Sequence, residues 1–189
     1  MALNGFVCCD CVEKGRLKKP PPFPELFHVD PSGFPTLRST DEEKERTHDE
    51  WEASGPCPHP YFKLLHHRLG NIAGIQWVRQ ALHQISRDPR KEYPVLLMKV
   101  VYSGSHCGDF LNLEEVRALD RELKALRKID LAEIKLTQGE LIFTPDAGTV
   151  DKTYWATAQE GEWAFLRGVF SSLEELVDAS LSVGKPIAF

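Results

Sequence analysis

Nine of the thirteen prolines in this 189-residue chain stand in its first third: Pro20, Pro21, Pro22, Pro24, Pro31, Pro35, Pro56, Pro58 and Pro60. Proline fixes φ and removes a backbone donor, so long regular elements are not expected there. The run Lys18 to Pro24 reads as a polyproline-type arm. The charged stretch STDEEKERTHDEWE, from Ser39 to Glu52, predicts a loop with one or two helical turns, with Thr40 or Asp41 as N-cap. A segment of this kind has little core of its own and needs another source of order.

The cysteines suggest one. Cys8, Cys9 and Cys11 crowd into GFVCCDCVEKG, and Cys57 follows in GPCPHPYF with His59 two residues on. The total of five is odd, so complete pairing within one chain is impossible. No basic start followed by an apolar stretch marks a secretion signal, so the expectation is a cytoplasmic chain with reduced thiols. Reduced, clustered cysteines are more often metal ligands than bridges. Zinc takes thiolate sulfur and imidazole nitrogen, and four protein donors make a closed structural site. Two of the N-terminal cysteines with Cys57 and His59 would form a Cys₃His set. Cys8 and Cys11 have C-x-x-C spacing; Cys9 and Cys11 are two apart, as are Cys57 and His59, and such pairs share a face on extended backbone. An ion held this way contributes on the order of 10 kcal/mol of folding free energy in finger peptides, enough to offset the ordering of a proline-rich arm.

From Tyr61 the pattern changes. Leu65, Leu69, Ile72, Ile75, Val78, Leu82 and Ile85 recur at steps of three and four, which predicts one long amphipathic helix ending before Pro89. Val95 to Tyr102 is apolar and β-branched and reads as a buried strand. Asn112 with Glu115 forms a capping box ahead of a helix bearing Val116, Leu119, Leu123 and Leu126. GELIFTP suggests a short strand, and TYWATAQEGEWAFLRGVF one or two strands around Glu160-Gly161 with Trp155 and Trp163. Ser172 and Glu175 read as a second capping box, with Gly184 as helix terminator, Pro186 after it, and a last short strand at Ile187 to Phe189. Helices and strands do not alternate strictly, so the fold class is α+β: a single domain with a proline-rich, zinc-stabilised segment over residues 1–60 and an α+β core over 61–189.

Other polar groups carry less. His66 and His67 lie on the expected long helix, one exposed and one half-buried; His28, His48 and His83 have no visible partner. The loop SGSHCGD sets Ser103, Ser105, His106, Cys107 and Asp109 between a strand end and a helix start, and His106 with Asp109 or Cys107 would be the polar core of a small hydrolase-type site. Phosphate-loop, dinucleotide, H-E-x-x-H and nucleophile-elbow patterns are missing. A net charge of −5 argues against nucleic acid and anionic membranes as partners, and no apolar run is long enough to span a bilayer.

Three stretches, GFVCCDCVEKG, VVYSGSHCGDFL and the closing ELVDASLSVGKPIAF, resemble small uncharacterised bacterial proteins, some of which resemble immunity proteins of polymorphic toxin systems. The resemblance implies a single-domain, non-catalytic, cytoplasmic, protein-binding module whose partner is a basic toxin domain. It also implies the C-x-C form of the metal motif, hence Cys9, Cys11, Cys57 and His59 as zinc ligands with Cys8 a bystander.

Overall fold

A computed structural model describes residues 2–102, 109–129 and 159–189. The first strand, β1 (Ala2–Cys8), uses the one stretch of the N-terminal third that is both apolar and free of proline. Leu3, Gly5 and Val7 alternate inward, as a strand with one face on a core requires. A small hairpin follows, β2 (Phe27–Val29) against β3 (Pro35–Leu37). Its turn is fixed by Asp30, whose carboxylate accepts from Ser32 Oγ at 2.6 Å and Phe34 N at 2.9 Å, and by Gly33 at φ 87°.

The charged stretch is more regular than expected: α1 (Glu42–Ala53) is a full 12-residue helix. Asp41 caps it, accepting from Glu43 N and Lys44 N, while Glu42, Glu43 and Glu45 suit the positive end of its dipole. His48 and Trp51, on one face, give it something to bury.

The long helix expected from Tyr61 is two elements. Lys63–Asn71 is strand β4, and the helix α2 (Ile72–Ile85) begins only after Asn71, which caps it by accepting from Gly74 N at 2.9 Å. Leu65 and Leu69 are four apart, a spacing that fits a strand face as well as a helix face. Pairing decides between them, because β4 runs antiparallel along the whole of β1, from Ala2 opposite Asn71 to Cys8 opposite Lys63. Ile75, Val78 and Leu82 keep their place on the buried face of α2.

After a short helix, α3 (Pro89–Glu92), comes the second correction. The expected strand at Val95 to Tyr102 is a wide helical turn, Leu96–Val100, closed by Val101 N donating to Leu96 O at 2.8 Å. Glu122 makes this possible: its buried carboxylate accepts from Val95 N at 3.0 Å and Leu96 N at 2.8 Å, satisfying amides that a helix start leaves open. Burial opposes the charge and pushes the Glu122 carboxyl up, while those two amides pull it back.

β5 (Phe110–Leu111) leads into α4 (Leu113–Leu126), whose capping box between Asn112 and Glu115 forms as the sequence predicts. Helix α5 (Gln159–Val183) spans 25 residues, so Glu160, Gly161 and Trp163 are helical rather than part of strands, and Ser172 lies inside the helix rather than at its start. Gly184, at φ 67°, ends it, and β6 (Ile187–Ala188) follows. The expected strand GELIFTP, Trp155, and Ser103, Ser105, His106 and Cys107 fall outside the described residues.

The main sheet has the order β4-β1-β6-β5, with antiparallel neighbours throughout. α5 lies across β1 so closely that a Cβ on Gly5 would stand 2.7 Å from Leu176 Cδ1. The aliphatic core fills the space between this sheet and α2, α4 and α5. Helices with antiparallel sheets make the fold α+β. Among the described residues no helix is long and apolar enough to cross a membrane.

Candidate metal centre

The β1–β4 ladder ends at Cys8 and Lys63, and both chains leave it toward the same place. Cys9 N still donates to Phe62 O at 2.8 Å, which keeps the two departing segments together. Beyond Cys9 the chain folds back tightly: Lys14 N donates to Asp10 O at 3.0 Å and Arg16 N to Cys11 O at 2.8 Å, with Gly15 at φ 61° completing the turn. Asp10 sits buried inside this turn and pairs with Lys14 and Arg16, which hold its carboxyl below the usual carboxylate range.

The second segment approaches from α1. Lys18 N donates to Pro56 O at 2.7 Å, laying the proline arm beside it. Cys57, Pro58, His59 and Pro60 then form a rigid loop that a single tight turn joins to β4. In that turn Tyr61 and Phe62 both take left-handed backbone, at φ 52° and 57°. Such a conformation is strained for large side chains. It throws Tyr61 into solvent and turns Phe62 beneath the cysteines, where its ring lies 5.6 Å from that of Trp51. Phe27 meets Trp51 edge-on at 5.5 Å, and Trp51 Nε1 donates to Lys19 O at 3.3 Å.

Cys9, Cys11, Cys57 and His59 thus come together, with one donor atom from each within 4.8 Å of all the others. Cys9 Sγ is 3.4 Å from Cys57 Sγ; His59 Nδ1 is 3.4 Å from Cys11 Sγ and 3.7 Å from Cys57 Sγ. A tetrahedral ion with sulfur at about 2.3 Å and nitrogen at about 2.0 Å spaces its sulfurs about 3.8 Å apart and its sulfur and nitrogen about 3.5 Å apart. Those three separations lie within about 0.4 Å of the matching edges, and every other donor pair lies within 4.8 Å. The three cysteines are buried and His59 is half-buried.

His59 N donates to Cys57 Sγ at 3.4 Å, the kind of donor a thiolate wants. Without a cation the thiols resist ionisation: burial, with Cys57 alongside, pushes Cys9 up to about 12, and burial raises Cys11 as well. A divalent cation reverses that balance. The buried cluster can therefore bind a metal ion.

Cys8 stays outside the set. It is buried at the end of β1, and burial pushes its thiol up to about 11. A second trio on α1, His48, Asp49 and Glu52, also lies within 4.8 Å, but its histidine is packed against Phe27 and Trp51 while Asp49 is exposed. His66 and His67, on β4 rather than a helix, are exposed and half-buried; His67 Nε2 lies 2.8 Å from Glu175 Oε2 on α5. His28 contacts the Thr36 hydroxyl across the hairpin. Of the expected polar loop only Asp109 is described, and its carboxylate accepts from the Tyr102 hydroxyl. Two buried charged neighbours of the cluster's turn escaped the sequence reading, Asp10, paired with Lys14 and Arg16, and Lys185, paired with Glu13. The first is marked only by basic residues four and six positions on; nothing in the sequence brings the second near the cysteines.

No known protein family, curated protein or solved structure matches the chain.

Proposed function

We propose that Cys9, Cys11, Cys57 and His59 hold one structural zinc ion, and that the chain is a non-catalytic, cytoplasmic, protein-binding module of the immunity-inhibitor kind. The convergence of four zinc-type donors from two distant loops within 4.8 Å carries this reading. Three thiols and an imidazole match zinc's preferences, and four protein donors fill its tetrahedron, which is the structural rather than the catalytic pattern. Binding releases the thiol protons and draws its free energy into folding. The net charge of −5 supports a basic toxin domain as partner, since opposite charge steers association.

Freshly purified protein should contain about one zinc per chain by elemental analysis, and Cys57→Ser should lose it. Wild-type protein without zinc would end the metal reading. For the partner, the immobilised chain should retain a basic protein at low salt and release it as salt rises. Retention of acidic proteins, or of none, counts against an inhibitor of a basic toxin.

A further inference from the structure

Cys9 and Cys57 bring their sulfurs into contact, at 3.4 Å, from the two loops of the proposed centre. A disulfide needs about 2.05 Å between its sulfurs, so an approach of little more than about 1 Å, shared by two side chains, would join them. The backbone on both sides is already tied. Cys9 N donates to Phe62 O at 2.8 Å, and the β1–β4 ladder ends beside them at Cys8 and Lys63.

The other pairings are poorer. Cys8 and Cys9 are adjacent, and Cys9 and Cys11 have one residue between them. A bridge between such neighbours closes a small ring, far from relaxed disulfide geometry. Cys8 also lies outside the donor set. Cys11 Sγ is turned to the imidazole, 3.4 Å from His59 Nδ1. His59 is the one half-buried member of the four, so the cluster meets solvent along its imidazole side, where a small molecule can enter.

We propose that the centre is a redox-sensitive clasp: hydrogen peroxide converts Cys9 and Cys57 to a disulfide and releases the metal, and a dithiol reductant restores it. This rests on the metal reading above and adds a mode of regulation to it. One thiolate attacks the peroxide and breaks its O–O bond, becoming a sulfenic acid, and the departing oxygen takes a proton and leaves as water. The second thiolate attacks the sulfenic sulfur, the S–S bond forms, and the other oxygen takes a proton and leaves as water. The two sulfurs lose two electrons and the peroxide gains them. Cys11 takes a third proton, and Cys11 with His59 is half of a four-donor site, so the ion departs. The bridge spans the same 48 positions as the ion did, so the two loops stay clasped while the metal is lost.

The test treats the zinc-loaded full chain with hydrogen peroxide in the presence of a colorimetric zinc indicator. The product is then digested without reductant, and the bridged sulfurs are located by fragmentation in a mass spectrometer. About one zinc is released per peroxide consumed, a Cys9–Cys57 link appears, and a dithiol reverses both. Cys8→Ala gives the same link and the same release, because Cys8 takes no part. Zinc retained under peroxide overturns the proposal. So does zinc released with sulfinic acids, or with a bridge to Cys8 or Cys11, and so does a Cys8→Ala chain that forms no link. Wild-type protein that takes up no zinc overturns the metal reading and this one together, whereas zinc uptake followed by any of those other oxidation products overturns this one alone.

Discussion

Two clusters of buried side chains stand out among the described residues, and they are built on opposite principles. The larger draws Leu3, Val7, Ile75, Leu82, Leu119, Leu123, Leu173, Leu176 and their neighbours from strands and helices into one aliphatic core. The smaller consists of Cys9, Cys11, Trp51, Cys57 and Phe62, and three of its five members are thiols. The first is sustained by burial of apolar surface and by regular hydrogen bonding. The second sits among proline-rich loops, and its sulfurs contribute modest apolar area. What the smaller cluster has in place of apolar area is four zinc-type donors within 4.8 Å of one another, and an ion bound there, as proposed above, would supply the order that its small core does not.

That contrast can be broken or sharpened by experiment. The largest effect expected is from chelation or Cys57→Ser: loss of roughly 10 kcal/mol of metal-derived free energy from the smaller cluster. Amides in the turn after Cys9 should then exchange rapidly while those of α4 and α5 stay protected; uniform loss of protection would show that the two clusters are not separable. Next, Gly5→Val drives a side chain into Leu176 and should cost about 3 kcal/mol in a thermal or denaturant melt, with zinc content unchanged. Glu122→Leu strands the buried amides of Val95 and Leu96 and should cost about 2 kcal/mol, again without touching the metal. The smallest is Cys8→Ala: about 1 kcal/mol of stability, from a buried side chain made smaller, and full zinc occupancy. Loss of zinc in that variant would return Cys8 to the ligand set.

The two regions also differed in how far they could be read from sequence. α4 was legible because its capping box and its apolar stripe agree. The junction of β4 and α2 was not, because Leu65 and Leu69 satisfy two periods at once and only the distant β1 selects the strand. Val95 to Val101 misled for a related reason: a continuous apolar run carries no period. Its helical turn depends on a carboxylate from Glu122, 26 residues beyond Leu96. The donor set of the metal centre was legible as chemistry, since thiol and imidazole pairs stand out in any context. The choice between Cys8 and Cys9 was open on spacing alone and came from the resemblance. In space it turns on where β1 stops, and Cys9, just past its end, is the one brought to the other donors.

The registration of β1 against β4 has a consequence for the sequence of events during assembly. Because the ladder closes at Cys8 and Lys63, the two donor loops emerge side by side from a finished sheet, and the 48-residue separation between Cys9 and Cys57 is already bridged. Most of the entropy of closing that long loop is met by the strand pairing itself. Capture of the proposed ion would then be a local event at two loops that the sheet already holds together.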